Sequence, residues 1–330
     1  MTVSLSSSVP SDSTAGPPPI DPEAAAGLAR MAGMPPLTPE AIPIMRAGMT
    51  KMAPTDTDLS RGGAFTIEQR TVPGPEGAPA LPLLICRPVR AKGPTAAMYY
   101  IHGGGYVLGN ARTELPGMLD IAEELNVSVV SVEYRLAPET PHPGPVLDCF
   151  AGLEWITANA EELRIQLPKV VVAGGSAGGG LAAAVALMAR DRSGPALAGQ
   201  LLMSPALDDR DDTVSAQQMS MMWEKAVADV GWSALLGSDR RGLDLFAYGS
   251  AARADDLSDL PPTFIDVGSV EVLRDQSVTY ANRIWQASGA AELHVWPGAY
   301  HGFDLFAPQS QIAQDARQAR LRWLRRILAS

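Results

Sequence analysis

Residues 169–190 read KVVVAGGSAGGGLAAAVALMAR, a β-branched run that passes through glycines into an alanine-rich run, with Ser176 at the junction. Glycine inside an ordinary element costs about 0.5–1 kcal/mol relative to alanine. Glycines around one serine therefore imply a turn that tolerates no bulk. Gly174-Gly175-Ser176-Ala177-Gly178 has the G-x-S-x-G spacing of a nucleophile elbow, in which a serine sits on a sharp strand-to-helix turn. The following helix directs free N–H groups and its positive dipole end at the serine, which favours an oxyanion there. A bare G-x-S-x-G also occurs by chance in Gly-rich turns. A phosphate loop is the other alternative, but no Gly-Lys-Ser/Thr follows and no G-x-G-x-x-G spacing fits.

Acyl transfer at such a serine needs an oxyanion donor, a base and an orienting acid. MYYIHGGGYVLG, residues 98–109, ends a strand in His102-Gly103-Gly104-Gly105. Consecutive glycines there let backbone N–H groups face a ligand, and with the Ala177 N–H they make a candidate oxyanion hole. One such donor is worth about 2.7–4 kcal/mol of barrier. An elbow serine is followed in the chain by its acid and then its histidine. His301, in WPGAYHGF past the last strand, is the candidate base. His294 lies inside a strand pattern, His142 precedes the serine, and His102 shapes the glycine loop.

The elements that must position these residues alternate. Strand runs are expected at 65–72, 81–89, 96–103, 127–134, 169–175, 199–205, 262–268 and 292–298. Helical patterns fall at 114–125, 145–163, 177–191, 273–287 and 309–328. Strands alternating with helices imply crossover units and a mostly parallel sheet. Its internal strands read as continuous apolar runs because both faces are covered. Residues 22–33 and 38–51 carry helical spacing. Residues 206–258 contain no convincing strand and read as helical around 216–237, an excursion that forms a cap together with the N-terminal helices. The resulting division is a disordered lead-in over 1–18, N-terminal cap helices over 19–60, core over 61–205, cap insertion over 206–258, and core over 259–330.

The 330 residues are 46% hydrophobic, enough for one large α/β domain, and carry a formal net charge of −10. That charge argues against nucleic acid or an anionic membrane as partner. The basic stretch RLRWLRR at 320–326 reads as the outer face of a last helix. Cys86 and Cys149 are distant and read as buried reduced thiols. No metal-ligand spacing is present. The N-terminus lacks the basic and apolar regions of a secretory signal, and no apolar window is long enough to span a membrane. A cytoplasmic protein without metal or cofactor is expected.

IHGGGYVLG, VEYRLAPETPHPGPVLDC, GGSAGGGLA, SVEVLRD and PGAYHGF, in this order, resemble the hormone-sensitive-lipase-like esterases. The resemblance runs from about residue 65 to the end. It implies an α/β-hydrolase fold: a mostly parallel eight-stranded sheet flanked by helices, under a helical cap. It implies Ser176 as nucleophile, His301 as base, and Gly104, Gly105 and Ala177 as oxyanion amides. The family's third member matches Glu271 in Glu271-Val272-Leu273-Arg274-Asp275, where the family often has aspartate. Asp275 and Asp266 are its rivals. The chain also departs at Gly175, where the family often carries an acidic residue. Tyr134, Arg135, Glu139 and Asp148 match a structural motif and are expected to form a buried polar network behind the oxyanion loop.

The function so implied is hydrolysis of short- to medium-chain carboxylic esters of small molecules through an acyl-enzyme. Tyr106, Met222, Trp223 and Tyr300 are candidate pocket walls. A non-catalytic ligand-binding homologue, or an amidase or acyltransferase using the same triad, are the alternatives. Homodimerisation through the edge strand at 292–298 is compatible with the resemblance.

Overall fold

The computed structural model describes residues 16–29, 36–210, 212–218, 225–238, 240 and 247–329. Eight strands form one sheet: β1 (Phe65–Val72), β2 (Leu81–Pro88), β3 (Thr95–Ile101), β4 (Ser128–Val132), β5 (Ile165–Gly175), β6 (Gly199–Met203), β7 (Thr263–Val270) and β8 (Ala291–Tyr300). Their spatial order is β1-β2-β4-β3-β5-β6-β7-β8. β2 pairs antiparallel with β1 and β4, and every other pairing is parallel. The parallel pairings require crossovers, which explains the long helical stretches between strands. The helices are α1 (Pro22–Leu28), α2 (Ile42–Met52), α3 (Asp56–Leu59), α4 (Leu115–Leu125), α5 (Gly144–Ala158), α6 (Ala177–Asp191), α7 (Val214–Gln218), α8 (Lys225–Leu236), α9 (Arg274–Gln286), α10 (Phe303–Phe306) and α11 (Gln311–Ala329).

Alternate residues of the central strands feed two cores. Tyr99, Ile101, Val170 and Val172 join α5, α6 and α9 on one face. Met98, Tyr100, Val171 and Ala173 join α4 and α11 on the other. Because both faces are covered, β3 is buried at every residue. That is why the expected continuous apolar runs fall on the strands. α6 is buried from Ala177 through Ala189, and its alanines fit a helix packed on all sides.

Two expectations change. Arg320 is not on the outer face of α11. It is buried and bonds Asp266 Oδ2 at 2.8 Å and Asp304 Oδ2 at 2.5 Å. Burial would lower its pKa, but the two carboxylates raise it and keep the guanidinium charged. Arg322, Arg325 and Arg326 do face outward. The helix expected around 216–237 consists, among the described residues, of α7 and α8. No strand occurs among the described residues of 206–258. No helix among the described residues is long and apolar enough to cross a membrane.

Candidate active site

The parallel strands β3, β5, β6 and β7 end side by side, so the loops that follow them converge. β5 ends at Gly175, α6 begins at Ala177, and Ser176 alone makes the turn with φ 53° and ψ −122°. That backbone region is sparsely populated and costs about 1–3 kcal/mol unless its surroundings enforce it. They do so through three main-chain bonds. Ser176 N–H donates to Met203 O at 2.8 Å, while Ala206 N–H and Gly180 N–H donate to Ser176 O at 2.9 and 3.1 Å. Gly178 permits the close approach, since a Cβ there would lie 2.1 Å from Ile101 O.

His301 follows β8 and projects back over this turn. Its Nδ1 lies 2.6 Å from Glu271 Oε2 and its Nε2 lies 3.1 Å from Ser176 Oγ. An ionised carboxylate only accepts, so Nδ1–H donates to Glu271 and Nε2 is left to accept the serine proton. Glu271 sits just past β7 and is 2% exposed, dry enough to make its contact with imidazole strong. Its other oxygen accepts from Ser204 Oγ at 2.8 Å and Gly268 N at 2.6 Å. The rivals lie elsewhere. Asp275 bonds Arg274 and the Ser215 N–H, and Asp266 bonds Arg320 and Trp296. Arg320 also ties β7 to α10, which begins two residues after His301, so the buried ion pairs support the histidine loop.

The glycine loop is held from behind. Gly104 has φ 111°, and a Cβ on it would lie 2.3 Å from Leu108 O, so glycine is required there. Tyr134 Oη donates to His102 O at 2.9 Å. Arg135 forks onto the buried Asp148 at 2.8 and 2.7 Å. Glu139 departs from the expected buried network. Its side chain is 65% exposed and pairs with Arg46 of α2. Arg46 donates to Val107 O and Ala137 O, both at 2.6 Å, a tie across dozens of residues that no sequence pattern announces.

Two cavities flank Ser176. A small one, of about 30 Å³, is lined by Gly105, Tyr106, Ala177 and His301 from the core and by Gly231 and Trp232 from α8. Tyr106 is a wall as expected, tilted against Trp232 with ring centroids 5.0 Å apart. Tyr300 is not a wall. It is fully buried, donates its hydroxyl to Ala24 O at 3.1 Å, and packs with Phe303 beneath α1. Met222 and Trp223 lie outside the described residues. The larger cavity, of about 670 Å³, opens between α4, α10 and α11 and also reaches Ser176 and His301. The sequence did not single out Ser204 or Glu114. Ser204 carries a signal in retrospect, since it directly follows the strand next to the elbow.

Comparison with known proteins agrees with this architecture. A family model described as alpha/beta hydrolase fold matches residues 98–305. Carboxylesterase NlhH of Mycobacterium tuberculosis is 35% identical over 275 residues, covering 79% of this chain and 83% of that protein. Esterase LipI of the same organism is 34% identical over 248 residues, covering 73% and 75%. Among solved structures, a bacterial heroin esterase superposes with a TM-score of 0.87 at 36% identity, over 94% of this chain and 98% of that one.

Proposed function

Because the chain belongs to the alpha/beta hydrolase fold family, in its hormone-sensitive-lipase-like branch, and is a carboxylic ester hydrolase, we propose that it cleaves short- to medium-chain esters through a Ser176–His301–Glu271 triad. The observation that carries the proposal is the unbroken hydrogen-bond chain from Glu271 through both nitrogens of His301 to Ser176 Oγ. His301 Nε2 takes the Ser176 proton as Oγ attacks the ester carbonyl, and Glu271 stabilises the imidazolium that forms. The amides of Gly104, Gly105 and Ala177 are assigned to the developing oxyanion. The imidazolium then protonates the leaving alcohol. In the second half, His301 draws a proton from water, which attacks the acyl-serine and frees the acid. The chain-length assignment rests on the small apolar cavity between the oxyanion loop and α8, which Trp232 helps to line.

Hydrolysis of p-nitrophenyl esters from acetate to palmitate by wild type, Ser176→Ala, Glu271→Ala and Asp275→Ala tests both parts. The expected losses in kcat are about 10⁶-fold for Ser176→Ala and about 10⁴-fold for Glu271→Ala, with Asp275→Ala near wild type. A large loss with Asp275→Ala and a small one with Glu271→Ala would reassign the acid. A rate that peaks beyond about decanoate would overturn the chain-length assignment. A wild type without activity that also fails to react with a serine-directed organophosphate would overturn the triad.

A further inference from the structure

The residue just before α4 is hard to explain by local structure alone. Glu114 has φ 62° and ψ −5°, in the left-handed region. For an L-residue with a full side chain that costs about 1–2 kcal/mol, and glutamate lacks the local bonding with which Asn and Asp offset it. It stands at the N-terminal boundary of the helix yet makes no capping bond. Its side chain instead turns inward to the ends of β3 and β5. Oε2 accepts Tyr100 Oη–H at 2.6 Å and Gly103 N–H at 3.2 Å. Tyr100 is 1% exposed, and Gly103 carries the first amide of the glycine loop. On the other side lies Gly175, next to the nucleophile. A Cβ built on Gly175 would sit 3.4 Å from Glu114 Oε2, and one built on Gly103 would sit 2.8 Å from Oε1. The carboxylate fills the gap that these two glycines leave.

We propose that Glu114 is a positioning residue for ester hydrolysis, its carboxylate wedged between Gly103 and Gly175 so that the oxyanion loop and the nucleophile turn keep one fixed separation. The proposal rests on the Ser176 esterase reading. Glu114 touches neither the triad hydrogen bonds nor the small cavity beside α8. It also lines the larger cavity that reaches Ser176 and His301, and the route assigned to it is through the two backbones it contacts. A displacement on the order of 1 Å between an oxyanion donor and its nucleophile is enough to cost about 100-fold in rate. Without the carboxylate, the Gly103 N–H and the Tyr100 O–H lose their acceptor, and the two turns that leave β3 and β5, paired as far as Ile101 and Gly174, lose the side chain wedged between them. Burial raises the carboxyl pKa, while the bonds from Tyr100 and Gly103 oppose that rise. The proposal does not depend on charge, because a neutral oxygen in the same place accepts the same two bonds. It depends on an acceptor filling that space, and the geometry offers a second route to it. With the native side chain removed, an aspartate at position 175 would deliver a carboxylate into the same gap from the opposite wall.

The test compares kcat, KM and melting temperature for wild type, Glu114→Ala, Glu114→Gln, Gly175→Asp and the double variant Glu114→Ala with Gly175→Asp, on p-nitrophenyl butyrate. Glu114→Ala is expected to lose about 10- to 100-fold in kcat with KM within about threefold, the signature of a contact realised in the transition state. Glu114→Gln is expected within about fivefold of wild type. The double variant is expected to regain at least about tenfold over Glu114→Ala, even though Gly175→Asp alone, which crowds two carboxylates, falls below wild type. If Glu114→Ala keeps kcat within twofold, the proposal is overturned. It is also overturned if neither Gln nor the aspartate at 175 restores kcat and the losses follow melting temperature alone. If Glu114→Ala does not fold, the glutamine variant and the double variant still decide. A wild type that hydrolyses no ester overturns the esterase reading itself, an outcome distinct from an active wild type indifferent to position 114.

Discussion

Ser176 sits in a turn closed almost wholly by main-chain contacts, whereas α8 and its neighbours, which pack on the oxyanion loop, are tied down by arginine–carboxylate pairs. Around the serine, backbone amides of residues 176, 180 and 206 make the bonds, and glycines let carbonyls approach where a methyl group would collide. In the described part of 206–258, Arg253 forks onto Asp209 with both bonds at 2.7 Å, Arg240 bonds Asp229 and Ser233, and Lys225 bonds Asp229 at 3.0 Å. The two regions meet at Gly231, where a Cβ would lie 2.6 Å from Gly105 O. Main-chain closure holds the nucleophile turn through atoms that no rotamer change can move and leaves substitution little room. Side-chain pairs fix a surface more loosely, and each can be altered at a graded cost. The chemistry sits on the first kind of construction, and the wall assigned to substrate selection sits on the second.

The sharpest way to break this comparison is Gly178→Ala. The added methyl group would lie 2.1 Å from Ile101 O and 2.4 Å from His102 O, both main-chain atoms that no rotamer change can move. Either α6 or the end of β3 must shift. We expect kcat/KM to fall at least about 100-fold, with a stability loss of about 1–3 kcal/mol or more, read from ester kinetics and urea unfolding. Gly175→Ala is the internal control, since its methyl meets nothing closer than 3.4 Å and should be tolerated. Equal, mild effects at both positions would mean that close approach does not build the turn.

Next in size is Arg253→Ala, which strips the Asp209 carboxylate, 0% exposed, of its bidentate partner. Breaking one side of a buried pair costs about 3–5 kcal/mol. Chemical denaturation should show that loss. The folded variant should still hydrolyse p-nitrophenyl acetate within about threefold of the wild-type kcat, with the change confined to KM for longer acyl chains. A kcat that collapses with acetate would show that the 206–258 segment helps to align the triad.

The same contrast explains what could be read before the fold was known. Main-chain closure leaves a composition signature, because only glycine serves at residues 104 and 178, and a helix buried on all sides must be small and apolar. The elbow, the glycine loop and the crossover helices were therefore legible, as were the strands, whose two covered faces make continuous apolar runs. Side-chain pairing leaves no such signature. Arg320 looks like one more outward arginine in RLRWLRR, yet its partners Asp266 and Asp304 lie 54 and 16 residues away in sequence. Glu139 looks like part of a buried motif, but it faces solvent. Tyr300 adjoins His301 in sequence, and side chains at the end of a strand alternate in direction, so one reaches the site while the other enters the core beneath α1. Glu114 fits no pattern at all, since its meaning lies in two glycines on other elements.

A change of pH sharpens the comparison with the smallest effect. His102 opens the glycine loop, fully buried, its ring stacked on Tyr134 at 4.2 Å. Its Nδ1 lies 2.8 Å from Gly103 O, which can only accept, so that nitrogen carries the proton. Nε2 is buried without a hydrogen-bond partner among the described residues. Burial lowers its pKa from 6.5 to about 4, against the opposing pull of the Gly103 carbonyl. The unfolded chain therefore binds a proton in this range before the native one does. The stabilisation is complete above pH 6.5 and drains away as the pH falls toward 4, by roughly 3 kcal/mol in all. Asp229, within α8, behaves differently. Burial would raise its pKa, but the bonds from Lys225 and Arg240 outweigh burial and hold it below 3.8, so its stabilisation is lost only in stronger acid. Urea unfolding of wild type and His102→Phe between pH 7 and 4 separates the two. The phenyl ring keeps the stack on Tyr134 but has no titration, so the variant should be less stable at pH 7 and lose less on acidification. His142, whose pKa burial also lowers, contributes equally to both proteins and cancels in their difference. Parallel stability curves for the two proteins would show that acid reaches this enzyme first through some other group than the histidine behind its oxyanion loop.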